Sequence, residues 1–207
     1  MPSLRQNWFE GWRLFAVLTL ALIALSIWIA GMRQFEADGV RMVIRFTART
    51  SLLFFCLAFS AAALARLWPN GWTRWQRRNR RHLGVTFAAS HAIHAVAIVC
   101  FAQMDPAGFA VETSAASYTL GGIGYAFIIA MTATSFDRTA AAIGPRAWRR
   151  LHLTGGYYLL LQFMVSFGKR IPDMPLYALF LIPLLAVFAL RMISMASRPA
   201  PRAAQAR

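Results

Sequence analysis

The chain has 207 residues, of which 58% are hydrophobic and 14% charged, with a mean hydropathy of +0.50. Lys and Arg number 22 against 7 Asp and Glu, a formal net charge of +15. That balance excludes an ordinary soluble domain, and it argues against nucleic acid as the partner, because the basic residues stand between apolar runs, where they orient a polytopic membrane protein.

A helix needs about 20 mostly apolar residues to span a bilayer. Six stretches reach that length: 12–31, 46–67, 83–103, 117–136, 149–168 and 175–196. The first includes the apolar run from Leu14 to Ala30, which is longer than the h-region of a cleaved signal and reads as a spanning helix. Arg45 and Arg49 stand at the start of the second, four apart and so on one helix face. The loop after it carries Arg66, Arg74, Arg77, Arg78, Arg80 and Arg81, with Trp68, Trp72 and Trp75 placed as an aromatic belt. The third stretch holds His91 and His94, and the following loop has Asp105 and Glu112 without a basic residue. The fourth is marked by Gly121, Gly122 and Gly124. Arg138, Arg146, Arg149 and Arg150 against Asp137 precede the fifth, which opens with His152 and continues through Gly155, Gly156, Tyr157, Tyr158, Gln162 and Met164. After the sixth, residues 198–207 are basic and Pro/Ala-rich and read as a disordered tail.

The positive-inside rule puts the basic loops, and with them both termini, in the cytoplasm. The first loop does not disturb this, since Arg33 and Arg41 are balanced there by Glu36 and Asp38. The expected fold is therefore an all-α membrane protein, a six-transmembrane-helix bundle over 1–197 with both termini cytoplasmic and a tail over 198–207. Cys56 and Cys100 both lie in apolar runs and read as small buried hydrophobes.

Ionisable residues are costly in lipid, so a histidine within a spanning helix is a functional candidate. Neutral imidazole is also a frequent ligand of heme iron. At 1.5 Å per residue, His91 lies about 12 Å and His94 about 17 Å into the third stretch, while His152 lies about 6 Å into the fifth. His91 and His94 are three apart and share a face. Two helices carrying such residues can hold a heme between them. The simpler use of the same histidines is hydrogen bonding between helices. His82 follows the arginines at the helix boundary and reads as an interfacial residue. Arg45 and Arg49 suit heme propionates, or snorkel to the interface. The glycines allow close helix approach or leave room for a flat macrocycle.

The motifs R-R-H-L-G followed by S-H-A-I-H-A-V-A resemble the third helix of ferric-reductase-like transmembrane domains. T-S-F-D-R-x5-G-P-R-A-W-R-R-L-H resembles the entry to that family's fifth helix. The family takes in NADPH oxidase membrane domains, yeast-type ferric reductases and the heme subunit of the bacterial methionine sulfoxide reductase system. The resemblance runs from about Arg45 to Lys169 and implies six helices binding b-type heme through the third and fifth. By position it assigns His94 and His152 as ligands. It also implies a second histidine on the fifth helix, where this chain has Val165, flanked by Met164 and Ser166.

Three ligation schemes are open. His91 and His152, about 6 Å apart in depth by helical rise, would share one heme. His94 and Met164 would form a His/Met pair, which raises the potential, although Met also serves as plain packing. Or the heme is five-coordinate. The sequence holds neither a nicotinamide nor a flavin fingerprint, so an electron carrier of this kind needs a separate donor. The expected function is a heme b-binding electron-transfer subunit of a reductase in a bacterial inner membrane, with one or two hemes. The donor would be a cytosolic flavin reductase or quinol, and the acceptor a partner reductase, ferric iron or oxygen on the outer side, with membrane lipid around the bundle. A heme-free scaffold, assembly factor or small transporter on the same fold is the competing expectation.

Overall fold

The computed structural model describes residues 9–197, and the tail expected at 198–207 lies outside them. The elements are α1 (Gly11–Gly31), α2 (Ala37–Leu67), α3 (Gly71–Arg78), α4 (Arg80–Met104), α5 (Pro106–Glu112), α6 (Ala115–Ala133) and α7 (Asp137–Gly168). A short 3-10 helix (Pro175–Phe180) then runs into α8 (Leu181–Ala196). Among the described residues there is no strand. Five segments are long and apolar enough to cross a membrane: α1, α2, α4, α6 and Pro175–Ala196. α7 has the length, but five charged residues crowd its first half, and His152, Thr154 and Gln162 dilute the second.

α2 and α4 form the central pair. Thr47, Ser51 and Ala61 on α2 and Thr86 and Ser90 on α4 are all fully buried, and small side chains of this kind let two helix backbones approach closely. Around the pair, Phe55, Phe59, Phe87, Phe163 and Phe167 build an aromatic core. The paired glycines of α7 are part of the same fit. A Cβ on Gly156 would run into the Phe59 ring, and one on Gly155 would stand 2.5 Å from Met131 Sδ.

Three features depart from the expected helix limits. α2 begins at Ala37, well before position 46. α3 is a short amphipathic helix capped by Asn70, whose Oδ1 accepts from Thr73 N at 2.9 Å while Thr73 Oγ1 accepts from Asn70 N at 3.0 Å. Its Gln76 is buried and donates to the Leu57 carbonyl at 2.8 Å, leaving Trp72 exposed on the other side. α7 starts at Asp137 and is broken at Gly144, where φ is +76° and ψ 162°. That conformation is open essentially to glycine alone, and Pro145 starts the second arm where its missing N–H costs nothing.

The two ends of the bundle differ. At the basic end, Arg81 of α4 pairs with Asp137 of α7 and holds that carboxyl below the usual carboxylate range, chiefly through the hydrogen bond. His82 meets the edge of Trp12 there, with ring centroids 5.0 Å apart. At the opposite end, Arg41 joins Asp105 at 3.4 Å and Glu112 at 3.2 Å and covers the Phe101 ring at 4.6 Å. The charges of the first loop and of the loop after α4 thus neutralise one another. Cys56 is buried as expected, whereas Cys100 is exposed on the outside of α4.

Candidate functional site

Two of the three sequence-predicted histidines, His94 and His152, line cavities, one at each end. The larger, about 450 Å³, lies at the end opposite the basic loops. That volume falls within the roughly 300–1,000 Å³ range of small-molecule and cofactor sites. His94 of α4 lines it, together with Arg45 and Arg49 of α2, Gly121, Gly122 and Tyr125 of α6, and Ser166 and Phe167 of α7. Lys169 and Arg170 close it from the turn after α7.

The orientation of His94 comes from a polar ladder between α2 and α4. Thr47 Oγ1 donates to the Val43 carbonyl at 2.7 Å. Its oxygen then accepts from His94 Nδ1 at 3.0 Å, and the same nitrogen approaches the Ile44 carbonyl at 3.1 Å. A carbonyl can only accept, so Nδ1 carries the hydrogen and Nε2 keeps its lone pair. Ser90, one turn earlier, links Thr50 at 2.9 Å, Ser51 at 3.0 Å and the Thr47 carbonyl at 3.2 Å. Metal-bound histidines are commonly fixed in this way, with the non-ligating N–H given to a carbonyl. His94 is thus an imidazole of set tautomer, with its free nitrogen on a cavity wall.

The cations at this cavity are in different states. Arg49 lies 5.4 Å from the Phe180 ring centre and 5.9 Å from that of Tyr177. Arg170 lies 5.8 Å from Tyr177. Arg45 is exposed and makes no ion pair or side-chain hydrogen bond among the described residues. The walls are otherwise largely apolar, including Ile44, Ile98, Phe101, Phe109 and Phe167. A fixed imidazole, a largely apolar slot and cations at the rim suit a flat apolar macrocycle with acidic side groups, so the residues present fit a heme.

The smaller cavity, about 140 Å³, lies at the basic end beside Arg80, Arg81, Trp148, His152 and Gly156. His152 stacks on Trp148 with ring centroids 4.3 Å apart. Its Nε2 is 3.2 Å from Thr134 Oγ1, whose own hydrogen is directed to the Ala130 carbonyl at 2.8 Å. Nε2 of His152 is therefore occupied by a hydrogen bond.

His94 and His152 accordingly line separate cavities. His91 lines neither; its ring lies among His94, Phe87, Tyr125 and Phe163, and its buried Nδ1 has no hydrogen-bond partner. Met164 packs against the aromatic core and lines neither cavity. Val165 is about half exposed, and the α7 residues that face the larger cavity are Ser166 and Phe167. Tyr157 and Tyr158 line neither cavity: the first accepts from Arg191 at 3.3 Å, the second donates to the Leu120 carbonyl at 2.7 Å. Thr47, Ser90, Thr134, Lys169 and Arg170 were not foreseen from the sequence. Its only hint was the cluster of hydroxyls at 47, 50 and 51 facing the S-H of α4.

The chain is similar to known proteins over most of its length. Residues 46–163 match the family described as ferric reductase like transmembrane component. The chain is also 26% identical over 192 residues to the protein-methionine-sulfoxide reductase heme-binding subunit of Ralstonia nicotianae, covering 89% of this chain and 85% of that protein. No solved structure matches.

Proposed function

The chain belongs to the ferric-reductase-like transmembrane family and is an integral membrane protein, and we propose that it is the heme b-binding electron-transfer subunit of a reductase. The observation that carries this reading is the fixing of His94 through Nδ1 on a cavity rimmed by Arg45, Arg49, Lys169 and Arg170. His94 would hold the iron, and Arg45 and Arg49 would pair with the propionates by charge-assisted hydrogen bonds. Phe101, Phe109 and Phe167 give the slot apolar walls. Bound heme supplies one-electron redox chemistry, while the protein sets its ligation, orientation and dielectric.

The second arm of α7 is the sixth span, buried on one side by Leu159, Leu160 and Phe163. The basic end faces the cytoplasm, with both termini, so the His94 cavity opens toward the outer face of a bacterial inner membrane. The donor is a cytosolic flavoprotein or membrane quinol. The acceptor lies outside, and the relative's description as a heme-binding subunit of a methionine sulfoxide reductase favours a partner reductase there.

The test is the reduced-minus-oxidised spectrum of detergent-purified protein with heme quantification. A Soret band that His94→Ala removes, while His152→Ala leaves most of it, is the expected result. A colourless protein supplied with ample heme refutes the reading and favours a heme-free scaffold.

A further inference from the structure

The larger cavity brings one imidazole to its occupant. His152 is in the other cavity, His91 is enclosed by aromatic rings, and Met164 is in the core. Three other donors on the lining have partners within the protein. Tyr125 OH is directed at the His91 carbonyl at 3.4 Å, Glu112 is paired with Arg41, and Ser117 bonds Ser114 at 3.0 Å. The α6 part of the lining is unusually bare. Gly121 and Gly122 both line the cavity, and a Cβ built on either would meet nothing within 4 Å. Ser166 of α7, also on the lining, carries only a hydroxyl.

Resting on the heme reading above, we propose that the iron at His94 takes a single protein ligand. Gly121, Gly122 and Ser166, which bring no imidazole to the cavity, would then leave the iron open to a small exogenous ligand, a neutral diatomic gas of the carbon monoxide or nitric oxide class. Binding forms one coordinate bond at the iron and displaces at most a water; nothing is oxidised or reduced. The bareness of the glycine wall admits a diatomic molecule there without moving a side chain.

The experiment uses the full chain in detergent with heme bound. Expected are a high-spin ferric signal in electron paramagnetic resonance and a ferrous carbon monoxide difference spectrum. His94→Gly should lose both, and added imidazole should restore them, which a merely structural role for His94 would not allow. Ser166→His, supplying a second imidazole to the same wall, should turn the spectrum low-spin and abolish the carbon monoxide reaction. A wild-type protein that binds heme but is low-spin in both oxidation states and inert to carbon monoxide overturns the proposal while leaving the heme reading intact. Failure to bind heme at all overturns both. A heme-loaded Ser166→His variant that remains high-spin and reacts with carbon monoxide overturns the placement of the open side.

Discussion

Thr47→Val is the sharpest probe of the site, because it removes one oxygen from a fully buried position and keeps the side chain's shape. Thr47 Oγ1 accepts from His94 Nδ1 at 3.0 Å, and the Ile44 carbonyl is a second acceptor at 3.1 Å. The variant therefore leaves the imidazole N–H bonded but less tightly held, and leaves Val43 with its ordinary helical partner. A net hydrogen bond is worth about 1 kcal/mol. Loss of the outer partner of a metal-bound histidine typically costs about 10- to 100-fold in affinity. With one acceptor remaining, the expected loss is about tenfold in heme affinity, or about 1.4 kcal/mol. Thr47→Ser, which retains the hydroxyl, should bind within about twofold of wild type. Heme titration into apo-protein followed at the Soret band measures both. The hydrogen-bond argument is refuted if Val and Ser variants bind alike.

Other substitutions test the packing. Gly156→Ala should destabilise the bundle by about 1–3 kcal/mol, because the new methyl meets Phe59, which is held by Phe55, Tyr157 and Arg191. Gly155→Ala should cost less, since its closest clash is with the sulfur of the flexible Met131 chain and the Phe127 ring is met only at 3.0 Å; thermal unfolding in detergent compares the two. Gly144→Ala forces a side chain into a φ of +76° and should lower stability by about 1–3 kcal/mol, read from the same melts. Arg41→Gln should cost about 1 kcal/mol through the lost pairs to Asp105 and Glu112, with a smaller difference from wild type at high salt.

The long helices were legible because about 20 apolar residues in a row have few other uses. α3 and α5, with 8 and 7 residues, carry no such signal and were read as loop. Gly144-Pro145 is a helix breaker in sequence, yet the stretch from Asp137 continues as helix on both sides of it. At the site, residue type and helical depth identified His94 and Arg45. Thr47 was hidden because a threonine within a helix ordinarily satisfies its own i−4 carbonyl, as this one also does. Its contact with His94 depends on the register of α2 against α4, which no local pattern encodes. Lys169 and Arg170 were hidden for a related reason: they lie in a turn that only the return of the chain into α8 brings over the cavity.

Two half-buried histidines, each meeting a threonine, thus differ in the nitrogen left free. For His94 the acceptors are on the Nδ1 side, so the nitrogen farthest from its own backbone is left free. For His152 the threonine oxygen takes Nε2, leaving Nδ1, which sits next to the side chain's attachment point and is harder for a metal to approach. Stacking on Trp148 limits rotation that would exchange the two nitrogens, and the adjoining space of about 140 Å³ is below the roughly 300 Å³ at which cofactor sites begin. The family resemblance assigned His94 and His152 alike. The identity of the nitrogen that each threonine engages separates them, which supports the proposal that His94 rather than His152 holds the heme.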